Sequence, residues 1–461
     1  MKLLTEKLKA YHKTHIPMHM PGHKRRSDLL SSDLPYDLDI TEIDGFDNLH
    51  DMQGVLKETA DLAAHLYGAR TSFPLVGGST CGILAAMHAL APAGGHVLLC
   101  RNCHKSVYNG IDLLGLTPHY LTPNADANGI SGKINLADLE NAFHAHPQIS
   151  LVIVPSPSYE GVLQDIDSIA EICHRFGALL LVDSAHGAHF GFSQHFPKSA
   201  VTQAGDVVVM SLHKTMPCLT QTALLHICSD RVDKNKIAES LAVFETSSPS
   251  YILLASIDEC LRRTKTSGDR LFSKLHQNLS AFYEKTAKLK NLSVLHYDDK
   301  SKVIISTKNA AISGVDLAKQ LRQTGKIETE MACSNYVLAM TTICDDETSL
   351  GALANALIAL DRNLLPNENA SPSHAVPLPE MRYTPADARQ KNGEFLCLSE
   401  AVGKTVLEYV WAYPPGIPLI VPGEVFSKEM LALFQSLAQS GVELKSTKGK
   451  VTTDDKIFVE V

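Results

Sequence analysis

Apolar residues in this chain come in short blocks that end abruptly in polar clusters. The runs at 97–100, 151–154, 178–182, 207–210 and 223–227 are each four or five residues long. Several are rich in Val, Leu and Ile, the pattern of strands buried on both faces. Between them, residues 83–90, 107–114 and 165–176 carry the three-to-four-residue apolar spacing of helices. A further helix is predicted over 51–68, closing at Gly68, where a left-handed cap is expected. This alternation has the spacing of right-handed βαβ units, so a mostly parallel sheet covered by helices is predicted.

Beyond residue 260 the texture changes. A charged helical stretch at 268–290 leads to extended segments at 293–296 and 303–307 and a helix at 315–324. A loop over 366–380, a helix around 399–411 and a proline-stiffened turn into a short strand follow. Three regions are expected: an N-terminal helix and extended arm (1–45), a large α/β domain (46–285) and a smaller α+β domain (286–461). The arm reading rests on Pro17, Pro21 and Gly22, which oppose regular structure.

At 461 residues the chain exceeds what one core usually supports. Hydrophobic residues make up 44% and charged residues 20%, as in ordinary soluble domains. The net charge of −8 leaves no basic footprint for nucleic acid. The N-terminus lacks the apolar core of a signal peptide, and no run is long enough to span a bilayer. A cytoplasmic protein is expected. The ten cysteines are scattered through apolar patterns and read as reduced core thiols. Cys100 and Cys103 have the spacing of a redox pair, but no second CxxC completes a zinc site.

The polar clusters at the strand ends carry the chemistry. In an open α/β sheet ligands sit at the carboxyl ends of the strands. There the run at 207–210 is followed by Ser211, His213 and Lys214. A lysine in that partly desolvated position tends toward the free amine, which forms an imine with a carbonyl compound. Gly77, Gly78, Ser79 and Thr80 open a helix with two flexible residues and two hydroxyls, a setting for a phosphate. The spacing of a Walker loop is absent. Asp183 ends another buried strand and needs a positive partner there. His104 follows a third strand. An imine-forming lysine, an anion site and a carboxylate to hold a pyridine nitrogen protonated are the complements of pyridoxal phosphate.

These residues resemble the Orn/Lys/Arg decarboxylases, fold-type I pyridoxal-phosphate enzymes. The likeness rests on Pro21-Gly22-His23-Lys24, Gly78-Ser79-Thr80, Arg101-Asn102-Cys103-His104-Lys105-Ser106 and Asp183-Ser184-Ala185-His186-Gly187-Ala188-His189-Phe190. It continues through Ser211-Leu212-His213-Lys214-Thr215, Thr246-Ser247-Ser248-Pro249-Ser250-Tyr251 and Tyr413-Pro414-Pro415-Gly416-Ile417-Pro418. The resemblance implies that Lys214 forms the imine with the cofactor and that Asp183 pairs with its pyridine nitrogen. It implies that His104 stacks on the ring, and that Gly78, Ser79, Thr80, Ser211 and His213 hold the phosphate. His186 would lie beside the cofactor. Ser247 and Ser248 would reach the phosphate of a neighbouring subunit, so a homodimer or larger homo-oligomer is implied. The length matches the short form of the family, without a receiver-like N-terminal domain. Gly77 and Ser184 depart from the Asn and Glu usual in the family at those places.

The implied reaction is decarboxylation of a basic amino acid, with arginine ahead of lysine and ornithine. His186 or the released Lys214 would return a proton to the substrate carbon. Glu424 is the candidate for the substrate's distal cation; its bland reading is a solvated turn carboxylate. An aminotransferase or lyase on the same fold remains an alternative, with Arg382 or Arg389 gripping the α-carboxylate. So do a metal-dependent hydrolase built on His104, Asp183, His186 and His189, and a cofactor-binding protein without turnover.

Overall fold

A computed structural model describes all residues except 1–2, 15–16, 19, 22, 26–32, 368–375, 413–415 and 450. Gly22 of the expected arm, Tyr413, Pro414 and Pro415 of the proline-rich turn, and most of the expected 366–380 loop therefore lie outside the described residues. The chain forms two compact units, residues 1–90 with 179–273 and residues 91–178 with 274–461.

In chain order, α1 (Leu4–Thr14) and α2 (Val55–Tyr67) precede β1 (Thr71–Leu75) and α3 (Gly78–Leu90). Then come β2 (His96–Cys100), α4 (Lys105–Leu113), β3 (Thr117–Leu121), α5 (Leu136–Ala145), β4 (Ile149–Pro155) and α6 (Ile166–Arg175). After β5 (Leu179–Asp183), β6 (Val207–Ser211) runs straight into the single turn α7 (Leu212–Thr215), followed by β7 (Ala223–Ile227) and α8 (Lys234–Phe244). The 36-residue α9 (Tyr251–Thr286) begins well before the charged stretch from which it was predicted. Its first turns are apolar and were not distinguishable from core.

In the first unit the strands lie in the order β1-β7-β6-β5. β5 and β6 are parallel, while β7 is antiparallel to both β6 and β1. The reversal has a simple cause: the link from β6 to β7 is shorter than the dozen or so residues a parallel crossover needs, so the chain turns back. Gly68 takes φ +77 and caps α2, as expected. α1 is fastened by a buried carboxylate: Asp258 of α9 accepts from the Leu4 N–H (3.1 Å), the Thr59 hydroxyl (3.0 Å) and Arg262 Nε (2.8 Å).

In the second unit β4-β2-β3 is wholly parallel. Its remaining strands are antiparallel: β8 (Ser293–Leu295), β9 (Lys302–Ser306), β10 (Met331–Ala332) and β11 (Tyr336–Met340) form one sheet. β12 (Gly393–Cys397), β13 (Val410–Ala412), β14 (Ile417–Ile420), β15 (Leu444–Ser446) and β16 (Lys456–Glu460) form two smaller ones. The expected α/β class, mostly parallel with a small α+β C-terminal part, is the one found.

The helix expected around 399–411 is absent, and that expectation is corrected. Gly403 sits at φ +87, and Thr405 and Val406 make bridges to Val425 and Val459. The β-branched residues here pair with neighbouring chain rather than wind. Among the described residues no helix is long and apolar enough to cross a membrane. Cys100 and Cys103 are both fully buried, and burial pushes the Cys100 thiol up. They are core residues, not an accessible redox pair.

At the far end of the second unit's parallel strands three imidazoles stack. His96 Nδ1 lies 2.9 Å from His119 Nε2, and the His119 and His146 rings are 3.9 Å apart. Burial, then the neighbouring His146 and His96, push His119 from 6.5 down to about 4. The unfolded chain therefore binds a proton below pH 6.5 that the folded one refuses until about pH 4. Stability is whole above 6.5 and is lost as pH falls between those values. The urea midpoint should drop more from pH 7 to pH 5 in the native chain than in His119→Gln. Equal drops would show that this stack does not set the acid limb.

Candidate active site

Lys214 owes its position to the strand before it. β6 is buried along its whole length, and α7 begins where it ends, so the lysine leaves the sheet at its carboxyl edge. There Lys214 Nζ lies 3.1 Å from His186 Nε2. His186, 5% exposed, belongs to the turn after β5, and Asp183 closes that strand at 7% exposure. The Ala185 N–H donates to Asp183 Oδ1 at 3.1 Å. Burial raises the Asp183 carboxyl above its ordinary range, and the Lys214 charge and the Ala185 N–H pull it back. A carboxylate in that balance calls for a further cation.

The glycine-hydroxyl segment behaves as its residues suggest. Gly78, at φ +75, opens α3, and its N–H donates to the Gln221 carbonyl at 2.8 Å. A Cβ added there would have nothing closer than that carbonyl at 3.9 Å, so the turn lies open. Ser79 and Thr80 follow in the first turn of the 13-residue helix. Ser211 Oγ donates to Ser79 Oγ at 2.9 Å, joining the end of β6 to the start of α3. His213 Nδ1 donates to the Thr222 carbonyl at 2.9 Å. Burial, helped by the Lys214 charge, holds its ring below the usual value despite that bond.

Ser79, Thr80, Asp183, His186, Ser211, His213 and Lys214 thus share the first unit, four of them linked in pairs through Ser79–Ser211 and Lys214–His186. Ser247 and Ser248, also in that unit, are exposed on the link between α8 and α9, with Ser248 Oγ 3.5 Å from Glu42. His104 belongs to the second unit, where it caps α4: its Nδ1 accepts from the Ser106 N–H at 3.2 Å. Among the described residues no group of three or more His, Cys, Asp or Glu side chains is placed to hold a metal ion.

For Glu424 it is the solvated-turn alternative that is corrected. It is fully buried, not a solvated turn residue, and its Oε2 lies 3.2 Å from the Arg101 guanidinium and 2.8 Å from the Val421 N–H. Burial pushes its carboxyl up against the pull of Arg101. Arg101 also donates to the Tyr108 hydroxyl and to the Pro418 and Leu419 carbonyls, at 2.8, 2.8 and 3.0 Å. The pair stitches the segment before His104 to the segment after the proline-rich turn. Sequence reasoning missed Arg101, although it opens one of the quoted motifs: an arginine after a buried strand gave no sign of its partner 323 positions away. Glu424→Leu should cost about 3–5 kcal/mol in chemical denaturation by leaving the Arg101 charge buried alone. Arg101→Met with Glu424→Leu should recover part of it; no recovery would mean the two side chains act separately. Arg382 and Arg389 are likewise engaged, with Glu380 at 3.8 Å and Asp112 at 2.5 Å.

A resident cofactor is testable against these residues. An amine, a carboxylate lacking a full counter-charge, and a helix start carrying hydroxyls fit an aldehyde, a cationic ring nitrogen and a phosphate. The chain is 31% identical over 444 residues to arginine decarboxylase of Bacillus subtilis, covering 92% of this chain and 90% of that one. It is 30% identical to arginine decarboxylase of Halalkalibacterium halodurans, covering 94% and 93%. Among solved structures, the constitutive lysine decarboxylase of Escherichia coli superposes with a TM-score of 0.84 at 20% identity, over 99% of this chain and 82% of that one. An alanine–glyoxylate aminotransferase from Nostoc shares the fold at a TM-score of 0.55 and 16% identity, over 66% and 86%. Residues 4–309 match the Orn/Lys/Arg decarboxylase major domain and residues 369–444 its C-terminal domain, and the chain belongs to that family.

Proposed function

We propose that this chain decarboxylates arginine with pyridoxal phosphate as cofactor. The observation that carries the reading is Lys214 Nζ at 3.1 Å from His186, with its charge felt at the buried Asp183 and with Ser211, three residues before it, bonded to Ser79. When bound, pyridoxal phosphate supplies a cationic ring that accepts the electron pair left as the carboxylate departs. Lys214 provides the amine that holds the cofactor's aldehyde carbon. Asp183 keeps the ring nitrogen protonated, and its own burial cost is offset by that cation.

The α3 N-terminus, with the Ser79, Thr80 and Ser211 hydroxyls, binds the phosphate. Because His213 gives its Nδ1 proton to Thr222, its Nε2 donates to an anion only when the ring is protonated. Phosphate should therefore raise the His213 pKa, opposing the effect of burial. His186 or the Lys214 amine would return a proton to the substrate carbon, a role their 3.1 Å separation supports. The family resemblance assigns His104 a stacking role on the ring, and Ser247 and Ser248 a contribution to a neighbouring subunit in a homodimer. The exposed setting of those two serines supports it.

The test is CO₂ and amine release from purified protein and cofactor, offering arginine, lysine and ornithine separately. Agmatine from arginine is the expected product. Cadaverine or putrescine alone would reassign the substrate. A keto acid instead of CO₂ would replace decarboxylation with transamination.

A further inference from the structure

The link between α7 and β7 carries a feature that the proposed chemistry does not use. Cys218 lies four residues after Lys214, half-buried against α9. Its Sγ is 3.4 Å from the Ser256 carbonyl and 3.7 Å from the Ser256 hydroxyl, and the same hydroxyl accepts from the Leu219 N–H at 2.9 Å. Cys260 is one helical turn beyond Ser256 on the same face of α9. It is 2% exposed and within hydrogen-bonding reach of the Cys218 sulfur.

Donors surround that sulfur. The Cys260 thiol first, then the Thr222 and Ser256 hydroxyls and the Leu219 N–H, outweigh burial and bring the Cys218 thiol from 9.0 down to about 7. Other cysteines of this unit go the opposite way: Cys81 is pushed up by burial and Glu245, and Cys228 up to about 12 by burial and Asp206. A half-buried thiol of lowered pKa beside a second cysteine is a setting in which oxidation is selective and a disulfide follows.

The same link touches the candidate active site at two points. The Gln221 carbonyl accepts the Gly78 N–H at 2.8 Å, and the Thr222 carbonyl accepts the Leu212 N–H at 3.0 Å and His213 Nδ1 at 2.9 Å. Movement of the link is therefore felt at the phosphate turn and beside Lys214.

We propose that Cys218 and Cys260 form a peroxide-sensitive dithiol that couples the oxidation state of its surroundings to the Lys214 site. The Cys218 thiolate attacks a hydroperoxide, breaking the O–O bond. Its sulfur is oxidised by two electrons to the sulfenic acid, and the departing oxygen leaves as water, or as an alcohol from an organic peroxide. The Cys260 sulfur then attacks Cys218, forming the S–S bond and releasing a second water. The disulfide ties the link to α9 in place of contacts that can slide.

The test treats cofactor-loaded protein with equimolar hydrogen peroxide and maps thiols by mass spectrometry of a non-reducing digest. Two of the ten cysteines should be lost as one peptide pair joining Cys218 to Cys260, reversed by dithiothreitol. Cys218→Ser should keep its Cys260 thiol, and Cys260→Ser treated in the presence of dimedone should carry its adduct on Cys218. Turnover should fall on oxidation, recover on reduction and be unaffected by peroxide in Cys218→Ser. Oxidation falling on the exposed Cys344 instead, or a 218–260 disulfide that leaves turnover unchanged, would overturn the proposal. The thiol map does not depend on the substrate, so failure of the decarboxylase reading is separately visible as absent turnover before any peroxide is added.

Discussion

Lys214→Ala is expected to fold normally and to lose turnover by roughly 10³-fold or more, since the proposed chemistry runs through its amine. The neighbourhood explains why folding should survive. The lysine leaves a fully buried strand, but its own side chain is only partly buried and rests on His186. Its removal opens no hole in the core.

The variant should also shift two neighbouring titrations in the same direction. The Lys214 charge depresses both the Asp183 carboxyl and the His213 ring. Without it both should titrate higher, which NMR of labelled protein without cofactor would show. Turnover near the native value would remove Lys214 from the mechanism. Lost turnover with unmoved titrations would mean that the amine lies farther from both groups than the structure places it.

The strands and chemistry of the first unit were legible because burial on both faces writes unbroken apolar runs, and polar residues at their carboxyl ends then stand out. Asp183, Ser211, His213 and Lys214 are all of this kind. What stayed hidden depends on distance along the chain. Glu424 in sequence is a carboxylate after a Pro-Gly turn, where solvent is the natural expectation. Only folding brings Arg101 to it, and with Arg101 the energetics change from a solvated charge to a buried pair. The segment around 399–411 failed for a related reason. Its apolar residues fit a helical period, but Thr405, Val406 and Val410 are claimed by partners in later strands, and such pairing overrides local preference. The apolar start of α9 was passed over because a helix buried on most sides loses the periodicity by which helices are recognised.

Asp183→Asn offers the sharper separation of function from structure. Asparagine matches the carboxylate in shape and can keep the 3.1 Å bond from the Ala185 N–H. What it loses is the charge. In the cofactor-free protein that charge is a liability: the group is 7% exposed, and burial raises its pKa despite Lys214 nearby. The raised pKa means that the folded state holds the proton more tightly than the unfolded chain does. The associated stability is present at low pH and declines as pH rises past the ordinary carboxylate value. At pH 7 the cofactor-free Asn variant should therefore be as stable as the native chain or more so, because a buried charge without a full partner has been removed. With cofactor the expectation reverses. The ring nitrogen loses the anion that keeps it protonated, and turnover should fall by roughly 10²–10³-fold, as when one electrostatic stabiliser of a transition state is deleted. Asp183→Glu, which keeps the charge but displaces it, should retain more turnover than Asp183→Asn. Denaturation midpoints without cofactor and turnover with it, measured on the three proteins, decide the matter. Stability and activity falling together in the Asn variant would make Asp183 a structural residue.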